Sequence, residues 1–409
     1  MQNTVKERFL KYVTIDTQAN PESDTSPSSE KQKDLSNLLV KELNEMGIKC
    51  ETNEYGYVYA FIPSNVENKT DNICFCAHVD TAPDCSGKDV KPIVHHNFNG
   101  YDIVLPDDPE QVIGRKAYPY LDKKIGEDIV TASGKTLLGS DDKSGVVILM
   151  DLAYQLAMDK NIPHGNITLL FTTDEEIGRG VKHVDYNKVN ATFGFTLDGG
   201  PIGEYCEETF SANEATLHIK GVAAHPGYAK GKMENAIKIA GEIISALPKE
   251  YLCPEVTEGY DGFIHPKKVS GELESAKIEF ILRDFNTEKL TDLATLIESI
   301  SSKVFKSYPN SSFKLEIKEQ YRNMKEVVAQ NPRIKEIAFQ AMKDAGIQPF
   351  ISNIRGGTDG SVLSANGLPC PNLFTGMQAI HSKHEFVSIQ DMEKAVDMLI
   401  NICKIVSRG

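Results

Sequence analysis

At 409 residues the chain is longer than one hydrophobic core comfortably serves, so two domains are expected. Its 44 basic and 58 acidic side chains leave a net charge of −14, which works against nucleic acid and anionic membrane surfaces as partners and leaves small molecules. No apolar run reaches membrane-spanning length, and the first twenty residues lack the apolar core and cleavage site of a secretory signal, so the expected compartment is the cytoplasm.

Helical periodicity marks residues 5–13 and 30–46, with Gly47 as a stop, and strands are expected at 57–62 and 72–78. The second of these strands ends in His78-Val79-Asp80-Thr81. Side chains two apart on a strand share a face, so one imidazole nitrogen can meet a metal while the carboxylate orients the ring. Cys74 and Cys76 on the same strand read as reduced core thiols, because no second cysteine pair completes a thiolate site. Residues 86–135, rich in Pro, Gly and charge, read as a long surface excursion with a hairpin near Ser133-Gly134-Lys135. Regular alternation then resumes with a helix at 144–159 and strands at 166–173 and 192–197, the grammar of an α/β sheet.

Near Glu207 the pattern changes. A strand at 214–220, a helix at 234–247, strands at 268–273 and 276–283, a helix at 287–306 and a strand at 312–319 give the order β-α-β-β-α-β of a ferredoxin-like unit. It has the place of an insertion, because the elements that follow, a helix at 331–345, a short strand at 367–374 and a closing helix at 389–406, need partners in the first domain. The expected domains are therefore 1–206 and 321–409 together, with 207–320 inserted.

Acidic residues gather where strands end, which is where open α/β sheets hold their ligands. Gly139-Ser140-Asp141-Asp142-Lys143 precedes a helix, Thr173-Asp174-Glu175-Glu176 ends a strand, and Leu197-Asp198-Gly199-Gly200 ends another. Alone these are an acidic helix start, a solvated acidic run and a turn. Towards the C-terminus, Ile380-His381-Ser382-Lys383-His384-Glu385-Phe386 adds two imidazoles. Pooled, His78, Asp141, Glu176, Asp198 and His381 make two histidines and three carboxylates, a set that suits a pair of zinc-type ions and not calcium.

With these motifs, and with Ala224-His225-Pro226-Gly227, Arg283-Asp284-Phe285 and Arg355-Gly356-Gly357-Thr358-Asp359-Gly360, the chain resembles, end to end, the M20 family of zinc-dependent metallopeptidases and its tripeptide aminopeptidases. The resemblance implies an aminopeptidase-like mixed-sheet metal domain with an inserted ferredoxin-like α+β lid. It implies two Zn2+ per subunit, one held by His78 and Asp198, the other by Glu176 and His381, with Asp141 bridging and a cis peptide after it. Glu175 becomes the general base and Asp80 the partner of His78. His225 would stabilise the oxyanion, often across a dimer, and Arg283 would grip a substrate carboxylate. Arg355 before its glycines could meet an anion or simply make a tight turn. Metals on one domain and His225 and Arg283 on the other imply a lid that closes, with hinges near Glu207 and Tyr321. The expected substrates are short peptides, above all tripeptides cleaved after the N-terminal residue, and an exposed edge of the lid sheet together with the family habit points to a homodimer. A dipeptidase, a carboxypeptidase or an amidase acting on N-acyl amino acids needs the same metal core, and a catalytically silent homologue would keep the fold alone.

Overall fold

The computed structural model describes residues 4–409. The chain divides into two compact units, one made of Met1–Glu207, Met324–Ser352 and Thr358–Gly409, the other of Glu208–Asn323 with the short return segment Asn353–Gly357. The first is built on a mixed eight-stranded sheet in the order Lys49–Thr52, Val58–Ile62, Ile167–Thr172, Ile73–His78, Phe193–Gly199, Asn372–Phe374, Glu204–Thr209, Phe350–Ile354. The strands at 167–172, 73–78, 193–199 and 372–374 run parallel. Ile73–His78 and Ile167–Thr172 are buried along their whole length, which is why they read in sequence as unbroken apolar runs: helices cover both faces of a parallel sheet. The central helix, Ser140–Met158, is buried almost all round through Ala153, between the sheet and the helices Val5–Tyr12 and Ile389–Val406. Gly145 is required on it, because a Cβ there would lie 2.1 Å from the carbonyl oxygen of Leu197 in the neighbouring strand.

One expectation fails. No strand follows Ser133-Gly134-Lys135, and residues 129–134 are buried. Ile129–Thr131 instead pairs with Ile93–His95 on one side and Phe386–Ser388 on the other. Phe98, Ile103, Leu105, Ile113, Leu121, Ile129 and Phe386 form a small core of their own, so the excursion is a packed subdomain that places residues 381–388.

The second unit has the expected β-α-β-β-α-β order. Its four antiparallel strands run Phe263–Gly271, Ser275–Asp284, Ser211–Lys220, Ser312–Tyr321, and the helices Ala236–Ser245 and Lys289–Phe305 pack on them. Ala276, Ile278, Phe280 and Leu282 alternate inward from one strand, and Ala236, Ile239, Ala240 and Ile243 recur at helical spacing opposite them. Asn235 caps that helix by accepting from the N–H groups of Ile237 and Lys238. Among the described residues no helix is long and apolar enough to cross a membrane.

Candidate metal centre

The carboxyl ends of the parallel strands, the start of the central helix and the turn before Phe386–Ser388 bring five side chains of the first unit together. His78 is the last residue of its strand and is buried; its Nε2 lies 3.1 Å from Asp141 Oδ1 and 3.8 Å from Asp198 Oδ1. His381, held in a left-handed backbone conformation (φ 60°), puts its Nε2 3.1 Å from Asp141 Oδ2 and 3.0 Å from Glu176 Oε2. Asp141 thus offers one oxygen to each imidazole. The ligand-type atoms of His78, Asp141 and Asp198 lie within 4.8 Å of one another, and so do those of Asp141, Glu176 and His381, two groups sharing one carboxylate. Glu175 stands at the junction, its Oε2 4.0 Å from His78 Nε2. The peptide between Asp141 and Asp142 is cis, as the resemblance implies.

Four of the five ligand-type residues, His78, Asp141, Glu176 and His381, are held from behind. The carboxylate of Asp80 accepts the backbone N–H of Glu175 (3.0 Å) and of Glu176 (3.1 Å), while His78 Nδ1 is closer to the Asp80 carbonyl oxygen (3.1 Å) than to its carboxylate (3.5 Å). Asp80 therefore orients the acidic turn as much as the histidine. Three supports carried no role in the sequence reading. Glu385 accepts from the N–H groups of Leu138 (2.7 Å), Gly139 (2.8 Å) and Asp141 (2.9 Å) and from the Ser140 hydroxyl (2.8 Å). Asp142 accepts the His78 N–H at 3.1 Å. Asp84 lies 3.4 Å from Nδ1 of His381, the place of an orienting carboxylate on that ring. Their only signal in sequence was nearness to a ligand.

The site crowds buried acids together. Burial pushes the carboxyls of Asp198 and Glu175 well above the usual range, with neighbouring acids adding to the effect, and raises Glu176 to about 7. Burial works against a charged His381, yet its hydrogen bonds to Asp141 and Glu176 outweigh that and hold it up at about 11. Metal ligation requires both imidazoles neutral and the carboxyls ionised, so binding of cations here would be coupled to proton release. The fit is supported by a second observation: Glu176 Oε1 is buried without a hydrogen-bond partner, an arrangement costly unless something else meets it. Two imidazoles with carboxylates, one of them shared, suit a pair of borderline cations.

The remaining candidates belong to the second unit. His225 is exposed, and its Nδ1 accepts the Gly227 N–H at 3.2 Å. Arg283 is half-buried above the Tyr321 ring and donates to the carbonyls of Asn213 and Leu282 and to Gln320; it makes no ion pair among the described residues. Arg355 is pinned over Phe210 and donates to the carbonyls of Gly259 and Asp261, both at 2.8 Å, and to the Thr257 hydroxyl.

Fold and site together fit a peptidase with two candidate metal-ligand groups, and residues 137–404 match peptidase family M20/M25/M40; the chain belongs to that family. Within it the chain is 42% identical over 406 residues to Peptidase T of Bacillus velezensis, covering 99% of each protein. Its fold is that of the aminopeptidase PepT from Bacillus cereus (TM-score 0.75, 22% identity, 99% of both chains) and of a tripeptidase from Staphylococcus aureus (TM-score 0.77, 20% identity, 99% of this chain and 98% of that one). It is also that of a Bacillus subtilis protein described as a dinuclear metal-binding peptidase of the M20 family (TM-score 0.65, 14% identity, 98% and 99% coverage).

Proposed function

We propose that the chain is a zinc-dependent aminopeptidase that releases the N-terminal residue from tripeptides. The observation that carries the reading is the convergence of His78, Asp198, Glu176 and His381 on the two oxygens of Asp141, with Glu175 beside them, in a chain aligned along its whole length with Peptidase T. His78 and Asp198 would hold one Zn2+, Glu176 and His381 the other, and Asp141 both. When bound, the ions supply a water acidified towards neutrality and a polarised scissile carbonyl.

The chain's own groups do the rest. Glu175 takes the proton of the attacking water and returns it to the leaving amine, the dual role a carboxylate can play when its two proton partners lie within hydrogen-bond reach in turn. Asp80 fixes the direction of Glu175 and Glu176 through their backbone N–H groups. His225 is assigned to the developing oxyanion and Arg283 to the substrate carboxylate, for which its planar fork is suited. Arg355 is assigned to the same end of the substrate; since its fork is engaged by Gly259, Asp261 and Thr257, contact with substrate means exchanging one of those acceptors. Eight free thiols fit a reducing compartment, and we assign the protein to the cytoplasm, acting as a homodimer.

The test is Glu175→Gln. The variant and the wild type should both bind about two zinc equivalents per chain, and the variant should lose turnover of a free tripeptide by at least about 10³-fold, in the range of a lost general base and its positioning. Retention of most activity removes Glu175 from the reaction. Tripeptides with a blocked amino terminus should be poor substrates, and preference for them would replace the aminopeptidase by an acyl-amino-acid amidase.

A further inference from the structure

The acidic turn that carries Glu175 and Glu176 begins with a third acid that touches neither of the two ligand groups. Asp174 is fully buried and sits in a left-handed conformation (φ 64°, ψ 24°). Its carboxylate is surrounded by donors from one distant segment: the Ser28 N–H reaches Oδ1 at 2.9 Å and Oδ2 at 2.7 Å, the Ser28 hydroxyl reaches Oδ1 at 2.5 Å, and the Gln32 side-chain amide reaches Oδ1 at 2.7 Å. The same Gln32 amide turns its oxygen to accept the backbone N–H of Asp174 at 3.0 Å. A second tie runs from Arg179, whose guanidinium donates to the Ser23 carbonyl at 2.7 Å and whose N–H closes the turn on the Asp174 carbonyl at 2.9 Å.

Two features say what this is for. Every donor to Asp174 comes from Ser28 or Gln32, and the residue makes no ion pair among the described residues, so both of its buried oxygens are met by hydrogen bonds from that one segment. Glycine would adopt this backbone conformation at no steric cost, so the turn itself does not call for an acid. The second feature is the direction of three consecutive N–H groups: that of residue 174 goes to Gln32 and those of 175 and 176 go to Asp80. All three N–H groups end on side chains, Gln32 on one side and Asp80 on the other.

We infer that Asp174, Ser28 and Gln32 form a positioning clamp that aims Glu175 and Glu176 into the metal centre, an inference that rests on the roles proposed above for those two acids. Asp174 is the only one of the three adjacent to them in sequence; Ser28 and Gln32 act from the segment leading into the helix Gln32–Glu45. A displacement of about 1 Å at a reacting group can cost about 10²-fold in rate, and loss of an outer support of a metal ligand about 10- to 100-fold in affinity.

The experiment compares Asp174→Gly, Asp174→Asn and Gln32→Ala with wild type, each loaded with zinc alone and assayed on a free tripeptide, and also stripped and titrated with zinc against a chelating dye. Glycine relaxes the left-handed turn but abolishes the clamp. Asparagine tolerates that turn and can keep its oxygen where Oδ1 accepts from Ser28 and Gln32. The clamp predicts a 10- to 100-fold fall in kcat for the glycine and Gln32→Ala variants with KM changed by less than about threefold, a weakening of the second zinc by a similar factor, and substantial rescue by asparagine. Glycine performing within about twofold of wild type in both kcat and zinc affinity would overturn the inference and leave Asp174 as a turn residue. If the glycine variant does not fold, Ser28→Ala, which removes a single hydroxyl donor, decides in the same way by whether it lowers kcat without moving KM. Zinc affinity keeps the two proposals apart. Activity surviving in Glu175→Gln would end the general-base assignment, whereas the clamp is still judged by whether Asp174→Gly loosens the second zinc.

Discussion

Replacing Glu385 by glutamine tests the support beneath the bridging carboxylate. The side chain is 1% exposed and its two oxygens divide four donors: Oε2 serves the N–H groups of Leu138 and Gly139, Oε1 serves the Ser140 hydroxyl and the Asp141 N–H. Glutamine keeps the shape but turns one oxygen into a donor. If its amide nitrogen faces Leu138 and Gly139, two buried N–H groups are orphaned. If it faces Ser140 and Asp141, the hydroxyl can rotate to accept and only the Asp141 N–H is left, so this second orientation is preferred. A hydrogen bond to a charged group is worth about 1.5–3 kcal/mol and an orphaned donor costs about 1–3 kcal/mol, so a net loss of about 3 kcal/mol is expected in the zinc-loaded protein.

The metal-free protein should behave differently. There the substitution also removes a negative charge beside Asp141, and that relief offsets part of the loss; burial and the Asp141 charge both raise the Glu385 carboxyl already. With zinc bound the charge is compensated and the relief vanishes. By linkage the difference, which is the part of the loss that the relief offsets, appears as weaker zinc binding, and about 1–2 kcal/mol of it corresponds to about 5- to 30-fold. The assay is urea unfolding of stripped and loaded protein by far-UV circular dichroism, together with a zinc titration against a competing chelator. Equal destabilisation of the two forms, with zinc affinity unchanged, refutes the claim that Glu385 acts by holding Asp141.

Asp391 gives a pH-dependent prediction: burial raises it from 3.8 to about 6 despite Lys124 at 2.5 Å and the Tyr120 hydroxyl at 2.8 Å. Because the folded pKa is the higher one, its contribution to stability is complete below about pH 3.8 and is lost as pH rises through about 6, a total of roughly 3 kcal/mol at 1.36 kcal/mol per unit. Asp391→Asn cannot titrate, so its stability should improve relative to wild type by about half that amount between pH 5 and 7.5; a difference that stays flat over this range contradicts the assignment. Gly145→Ala should force the central helix from the strand carrying Asp198, since its Cβ would meet Leu197 O at 2.1 Å and Asp142 Oδ1 at 2.4 Å; a loss of at least about 3 kcal/mol and of zinc affinity is expected, and normal zinc binding would show that the helix and strand can separate freely. Chelation should lower the unfolding midpoint, by about 4 kcal/mol of stability for each site present at a thousandfold excess of zinc over its Kd, and added salt should not restore it because the charges involved are buried. Identical melting of loaded and stripped protein would exclude that coupling.

What the sequence disclosed follows from how far each signal reaches along the chain. Residues 73–78 and 167–172 could be read as strands because burial on both faces makes the whole run apolar, and the second unit because inward residues alternate along 276–282 and recur at helical spacing along 236–243. The strand at 129–131 was hidden. Three residues give no period, and its partners at 93–95 and 386–388 are fixed by a local core whose members come from across the excursion. The same division runs through the site. His78, Asp198 and Glu176 stand out as candidates because the ends of parallel strands are where ligands collect, and Asp141 because it opens a helix, although its own dihedrals (φ −86°, ψ 105°) are not helical. Glu385 and the pair Ser28 and Gln32 were illegible as supports, since their partners lie more than a hundred residues away and a buried acid spells like an exposed one.

These supports share a logic. The N–H of His78 ends on Asp142, those of Glu175 and Glu176 on Asp80, and that of Asp141 on Glu385, so three of the stretches of backbone that carry the candidate ligands are fastened to a buried carboxylate outside the ligand set. Neutral acceptors could satisfy those N–H groups with less desolvation. A carboxylate holds them more tightly, by about a factor of two per bond, and adds its charge to a region where two dications would make negative charge favourable. On the proposed ligand assignment, the geometry of the ligands and the charge that would retain the metals come from the same residues, which is why a support that touches no metal is expected to alter zinc affinity and turnover together.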